Sequence, residues 1–208
     1  MKSIDLNGCR VTVLPVIKGL VSEEKKVQDA IDEVAPDAVG ISISKEELEG
    51  LSHKEEYEFM EPSFLEHVYK LNLETFGDVK MPPPCYVRAM DLCTERGIRI
   101  VPLDMNEELF SETYCDKVGG FDLIRDSFFS SRAHKVKFDL SSPERFVLDY
   151  DRKANGGKGL RQLNREREAH MSTVLKQVAG KHRNILVVVE LERAEGLFAN
   201  VGNGIVVS

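Results

Sequence analysis

At 208 residues, with 42% hydrophobic and 30% charged positions, the chain can bury a sizeable core, either as one α/β domain or as two packed halves, about 1–80 and 81–208. Its net charge of -7 argues against nucleic acid or an anionic membrane as partner, because phosphate-binding surfaces need clustered Lys and Arg. No apolar run reaches the roughly 18 residues that span a bilayer, Met1 to Leu6 has no signal-like run, and Cys9, Cys85, Cys93 and Cys115 form no CxxC pair. The expectation is a soluble cytoplasmic protein with reduced thiols.

Arg10 to Ile17 is rich in Val and Ile and predicts a strand. Ser22, Glu23 and Glu24 then open a helix whose Val27, Ala30, Ile31 and Val34 recur at helical spacing until Pro36. Ala38 to Ile43 predicts the next strand, and a strand, helix, strand unit makes parallel pairing the default. From Lys45 to about Asp78, apolar positions such as Phe59, Phe64, Leu65, Val68 and Leu71 predict two or three helices over the sheet, before Pro82, Pro83 and Pro84 punctuate the chain.

Cys85 to Arg96 predicts a helix stopped by Gly97, and Ile98 to Leu103 a strand with Asp104 just past its end. Helical patterns follow at Asn106 to Val118 and Phe121 to Phe129, and Ser142-Pro143 starts another. After the glycine-rich loop Ala154 to Gly159, a long helix runs from Leu160 to Gly180 with Leu163, Met171, Val174 and Val178 on one stripe. Ile185 to Val189 is apolar without alternation, as a central parallel strand should be, and Gly204 to Val207 suggests a short terminal strand. The fold class predicted is α/β: a central, mainly parallel sheet of strand, helix, strand units with helices packed on it.

Several short stretches fit this element order to one family. Leu103-Asp104-Met105-Asn106 follows a Gly-Asp-Arg-Asp-like strand end, and Glu166-Arg167-Glu168 with Met171 follows a Glu-Arg-Asp-x-x-Met helix. Pro36 to Ser44 follows a Val-Glu-Leu-Asp-like strand with Ser42 at the glutamate. Lys18 and Arg193 stand where Gly-Thr-x-His-like and Gly-x-Gly-His motifs would place histidine. In these features the chain resembles the TraB/PrgY family, many of whose members also carry C-terminal membrane segments; none occurs before Ser208 here. The resemblance implies the family's fold and, for the family, metal-dependent hydrolysis through two histidines and a glutamate. An ammonium and a guanidinium donate hydrogen bonds and repel a cation, so the same resemblance implies a degenerate site, a pseudoenzyme rather than a catalyst.

Arg167 falls on the apolar stripe of the long helix and needs an acidic partner, for which Asp104 is the first choice. With Lys18, Arg167 and Arg193 as positive elements and Asp104 as an orienting acid, the expected function is binding of a small anionic ligand, a peptide or a protein partner in a regulatory role, with no cofactor. The alternative is a hydrolase holding Mg²⁺ or Mn²⁺ on Asp104, Glu190 and Glu192, each at or beyond a strand end. A third reading is a structural homo-oligomer. Asn155-Gly156-Gly157-Lys158-Gly159 precedes a helix as phosphate loops do but lacks the GxxxxGK[ST] spacing, and Arg132, His134, Lys135 and Lys137 read as a solvated basic run.

Overall fold

The computed structural model describes residues 1–53 and 63–202. Phe59 and the strand expected at Gly204 to Val207 lie outside them. Five strands form one sheet: β1 (Lys2–Leu6), β2 (Cys9–Val16), β3 (Ala38–Ile41), β4 (Arg99–Pro102) and β5 (Asn184–Glu190), in the order β1-β2-β5-β3-β4. All neighbours are parallel except the β1–β2 hairpin at the edge. β5, from the second half of the chain, lies between β2 and β3 of the first, so the two halves share a sheet.

Sequence reading missed β1. Lys2-Ser3-Ile4-Asp5-Leu6 alternates polar and apolar residues, and Asn7-Gly8, with φ of 54° and 88°, makes the two-residue turn that right-twisted hairpins favour. In β5, Ile185 to Val189 is fully buried because both sheet faces are covered. Ile185, Val187 and Val189 join Val11 and Val13 against α8 (Lys158–Ala179) and α9 (Leu191–Gly202), through Met171, Leu175, Leu197 and Val201. Leu186 and Val188 join Leu14, Val16, Val39 and Ile41 on the other face, against α1 (Glu23–Val34) and α4 (Pro84–Arg96). This is the two-residue period of a strand buried on both sides.

The short α2 (Lys45–Leu51) and α3 (Phe64–Leu73) begin with reciprocal capping boxes at Ser44 and Ser63. A third apolar cluster roofs the C-terminal end of the sheet. There Ile17, Leu20, Leu73 and Phe146 meet Tyr69 from α3 and Tyr150 from α7 (Pro143–Ala154), and the Tyr69 ring lies 5.1 Å from Tyr150 and 5.4 Å from Phe146. α5 (Glu107–Lys117) and α6 (Gly120–Arg132) bury no residue fully and flank α8. The first turn of α8 must carry glycine where it crosses the α5–α6 turn. A Cβ on Gly159 would sit 2.6 Å from Asp122 Oδ2 and 2.9 Å from Val118 Cα. No described helix is long and apolar enough to cross a membrane.

Truncation should separate core from surface. Leu186→Ala, fully enclosed on β5, is expected to cost about 2–5 kcal/mol in urea denaturation. Phe121→Ala, with that side chain 91% exposed on α6, should stay within about 0.5 kcal/mol of the parent.

Candidate functional site

Where neighbouring parallel strands send their connections to opposite faces of the sheet, their C-terminal ends part and leave a crevice. β2 and β3 lead to the α1–α4 face, whereas β5 leads to α9 on the other, so crevices flank β5 on both sides. Lys18 follows β2, Ser42 follows β3, Asp104 follows β4 and Glu190 ends β5. Lys18, Ser42, Asp104 and Glu190 therefore meet at one edge.

Glu190 and Asp104 are each answered by a base. Lys18 Nζ lies 2.5 Å from Glu190 Oε1, and the carboxylate is buried while the lysine keeps 41% of its side chain open. Glu190 holds the Lys18 ammonium well above its usual range, whereas burial pushes Glu190 up but is outweighed by Lys18 and Arg167, leaving its carboxyl below normal. Arg167 clamps Asp104 through Nε, at 3.0 Å to Oδ2 and 3.3 Å to Oδ1, and through a second contact from Nη2. The Asp104 partnership expected from the helix stripe is present. Ser42 spends its hydroxyl on structure: Oγ accepts from the Glu190 backbone N–H at 3.1 Å and pairs with the Tyr86 hydroxyl at 3.0 Å.

Glu192 is the acid left without a cation of its own. Burial beneath the aromatic roof and the nearby Glu190 carboxylate raise it to about 7, only partly offset by Lys18. The same enclosure drives the Tyr69 and Tyr86 hydroxyls well above their usual range and the Cys85 thiol to about 12, so these groups are neutral near pH 7.

Arg193 does not open into this crevice. It leaves the first turn of α9 and is buried between α7 and α8, donating from Nη1 to Glu168 Oε1 at 3.1 Å and from Nη2 to Asp151. Gly196, one turn along α9, is small enough for the Glu168 carboxylate to lie against it, where a Cβ would overlap Oε1 and Oε2. Burial raises Glu168 even so, because the facing guanidinium offsets only part of the desolvation.

Beside this knot is a cavity of about 300 Å³, whose walls bring Arg152, Arg161, Arg165 and Arg193 together with Asp151 and Glu168. Arg193 is spoken for by the two acids, and Arg152 is held at 2.5 Å by Asp149 behind it. Arg161 donates only to the Gly156 carbonyl, and Arg165, exposed, pairs with no described carboxylate. These two guanidinium groups are the uncompensated charge. A larger open groove between α5 and α8, about 460 Å³, is carboxylate-rich through Glu112, Asp116 and Glu166, with Lys117 opposing them.

The glycine-rich loop is not an empty anion nest. Asn155 caps the end of α7, and the Gly159 amide at the start of α8 already donates to both Asp122 oxygens at 3.2 Å. Of the basic run, Arg132 lies over the Phe128 ring at 5.4 Å, and Arg132, His134, Lys135 and Lys137 are exposed. Cys9, Cys85 and Cys93 are buried free thiols and Cys115 is exposed.

Asp104, Glu190 and Glu192 line one edge, but the first two already hold Arg167 and Lys18, and a dication there would meet both positive groups. Among the described residues no group of three or more His, Cys, Asp or Glu is placed to hold a metal ion. Sequence reading passed over Asp151, Arg161, Arg165 and Asn164, and gave Glu168 no role at the site. The signal for those on the long helix was a second stripe, Asn164 and Glu168 four apart beside Arg161 and Arg165 four apart. No family model matches the sequence, and no curated protein matches it.

Arg193→Ala strands two acids and is expected to cost about 3–5 kcal/mol in chemical denaturation, whereas a double Arg193→Met, Glu168→Met variant should recover part of that loss. The raised Glu192 gives a pH signature. The folded state keeps a proton that the unfolded chain, titrating near 4.5, gives up, so this acid's contribution to stability falls as pH rises from 4.5 to about 7 and then levels. Glu192→Gln should therefore gain stability relative to the parent between about pH 5 and about pH 8 in urea midpoints. A parent–variant difference that does not move with pH would contradict it.

Proposed function

We propose that this chain is a TraB/PrgY-like protein whose metal-ligand positions have become internal ion pairs, and that it works in the cytoplasm by binding a small anionic ligand in a regulatory role. The observation that carries the reading is the cavity beside Arg193, where Arg161 and Arg165 stand without carboxylate partners among the described residues of a chain whose net charge is -7. Concave, partly enclosed and positive, such a site concentrates anions against the field of the whole protein.

Of the four residues expected to contact ligand, Arg193 reaches this cavity as part of its floor, while Lys18, Asp104 and Arg167 belong to the neighbouring crevice. Asn164 lies between them, its Oδ1 3.5 Å from Arg167 Nη1 and its side chain in the cavity wall. Lys18, Asp104 and Arg167 thus act as the support that fixes α8 against the strand ends, and the arginines of α7, α8 and α9 meet the ligand. The free thiols suit a reducing compartment.

A thermal-shift panel of small anions and divalent metals at low ionic strength tests the reading. An anion at about a hundredfold excess over its Kd should raise Tm by about 5–10 °C, and the gain should fade with added salt. Stabilisation by Mg²⁺ or Mn²⁺ that is lost in Asp104→Ala, with no response to any anion, would replace this reading with the metal-assisted hydrolase.

A further inference from the structure

Resting on the anion-binding reading, the geometry points to a ligand class: we infer that the cavity receives a phosphoryl group, held by Arg161 and Arg165 and by the side-chain amide of Asn164. Three observations independent of the family resemblance converge on it.

The first is unpaired charge in a costly place. Lys158, Arg161 and Arg165 occupy the first turns of the 22-residue α8, where Asp122 already meets the Gly159 amide but no acidic residue of the helix itself stands in the first turn to pair with the side chains. Arg161 and Arg165 are four residues apart, a spacing at which like charges repel along a helix. The cavity they line supplies Asp151 and Glu168, but both are taken by Arg193. An anion between the two arginines removes this repulsion.

The second is a donor without a protein acceptor. Asn164 is only 8% exposed, and its Oδ1 receives Arg167, which orients the amide Nδ2 away from that pair; Nδ2 donates to no described residue. Asn164 lines the cavity, so the amide is available to something inside it.

The third is the arrangement of donors. Arg161, Asn164 and Arg165 come from α8, Arg152 and Asn155 from α7 and Arg193 from α9, so the walls are built from three helices. A planar carboxylate presents two oxygens in one plane, which one guanidinium fork can satisfy. A phosphoryl group presents three terminal oxygens and up to two charges, which uses two guanidinium forks and an amide at once. The cavity, at about 300 Å³, has room for a phosphate or a small phosphomonoester. Asp151 and Glu168 on the floor remain acceptors for hydroxyl groups of an ester.

Titration calorimetry on the full chain at low ionic strength, with inorganic phosphate, glycerol 3-phosphate, acetate and citrate as probes, decides it. The expected result is saturable binding of a phosphorylated probe at least about tenfold tighter than either carboxylate, weakened about tenfold or more in Arg165→Ala and in Arg161→Ala. Both side chains are exposed, so these variants should fold. Asn164→Asp keeps the oxygen that faces Arg167 but turns the donor into a negative charge, and it should abolish phosphate binding while leaving Tm near that of the parent. Lys181→Ala, exposed beyond the end of α8, serves as the control with unchanged affinity. Tighter binding of the ester than of phosphate marks an organic phosphomonoester as the ligand, and the reverse marks free phosphate. Citrate or acetate binding as tightly as phosphate overturns the phosphoryl inference and leaves the anion-binding reading in place. Binding of none of the four overturns both, and phosphate binding unaffected by Arg161→Ala and Arg165→Ala overturns the location.

Discussion

Carboxylates that stay ionised in the crevice at the C-terminal edge of the sheet must be matched by cations, and the arrangement of the surrounding helices follows from that requirement. Glu190 ends the central strand beneath an aromatic roof, where an unpaired charge would lose its hydration without compensation. Lys18 answers it from the end of β2, Arg167 answers Asp104 from α8, and Arg193 answers Glu168 and Asp151 from α9. Each pair joins elements far apart in sequence, so the ion pairs fix how α7, α8 and α9 stand over the strand ends. Burying them brings little net stability; removing one partner is what is costly.

The same requirement separates two kinds of chemistry at this edge. A catalytic metal needs electron-pair donors around an open coordination position, whereas the crevice offers carboxylates already engaged by an ammonium and a guanidinium. One helix away the balance reverses, and Arg161 and Arg165 exceed the acids available to them. Asn164 touches both regions, with Arg167 on its oxygen and the cavity beside its amide. On the proposed reading, the neutralised crevice is scaffold and the positive cavity is where a ligand is met.

The parallel core was legible because its signals are local. Ile185 to Val189 has no polar position, and such a run of five belongs to a strand covered on both faces. The inward turn of Arg167 followed from helical spacing, and Asp104, chosen as its partner, is the acid it meets. β1 was missed although its alternation and Asn7-Gly8 turn were visible, because a five-residue edge strand carries a weak pattern. The burial of Arg193 was not legible: the residue reads as a ligand-facing base after a strand, and only the packing of α9 on α8 past Gly196 brings it to Glu168. Asp122 filling the start of α8 is equally non-local, since its partner is 37 residues away. Sequence spacing gives the face of an element and cannot say which distant carboxylate reaches it first.

The most direct test of the account is a crystal structure of the protein grown with tungstate, an electron-dense tetrahedral oxyanion, with its anomalous signal used to place the ion. The account predicts one dominant site between Arg161, Arg165 and Asn164, with the Lys18–Glu190 and Arg167–Asp104 pairs intact. An ion seated instead at the strand ends with Lys18 or Arg167 pulled from its carboxylate, or an empty arginine cavity at saturating tungstate, would contradict it.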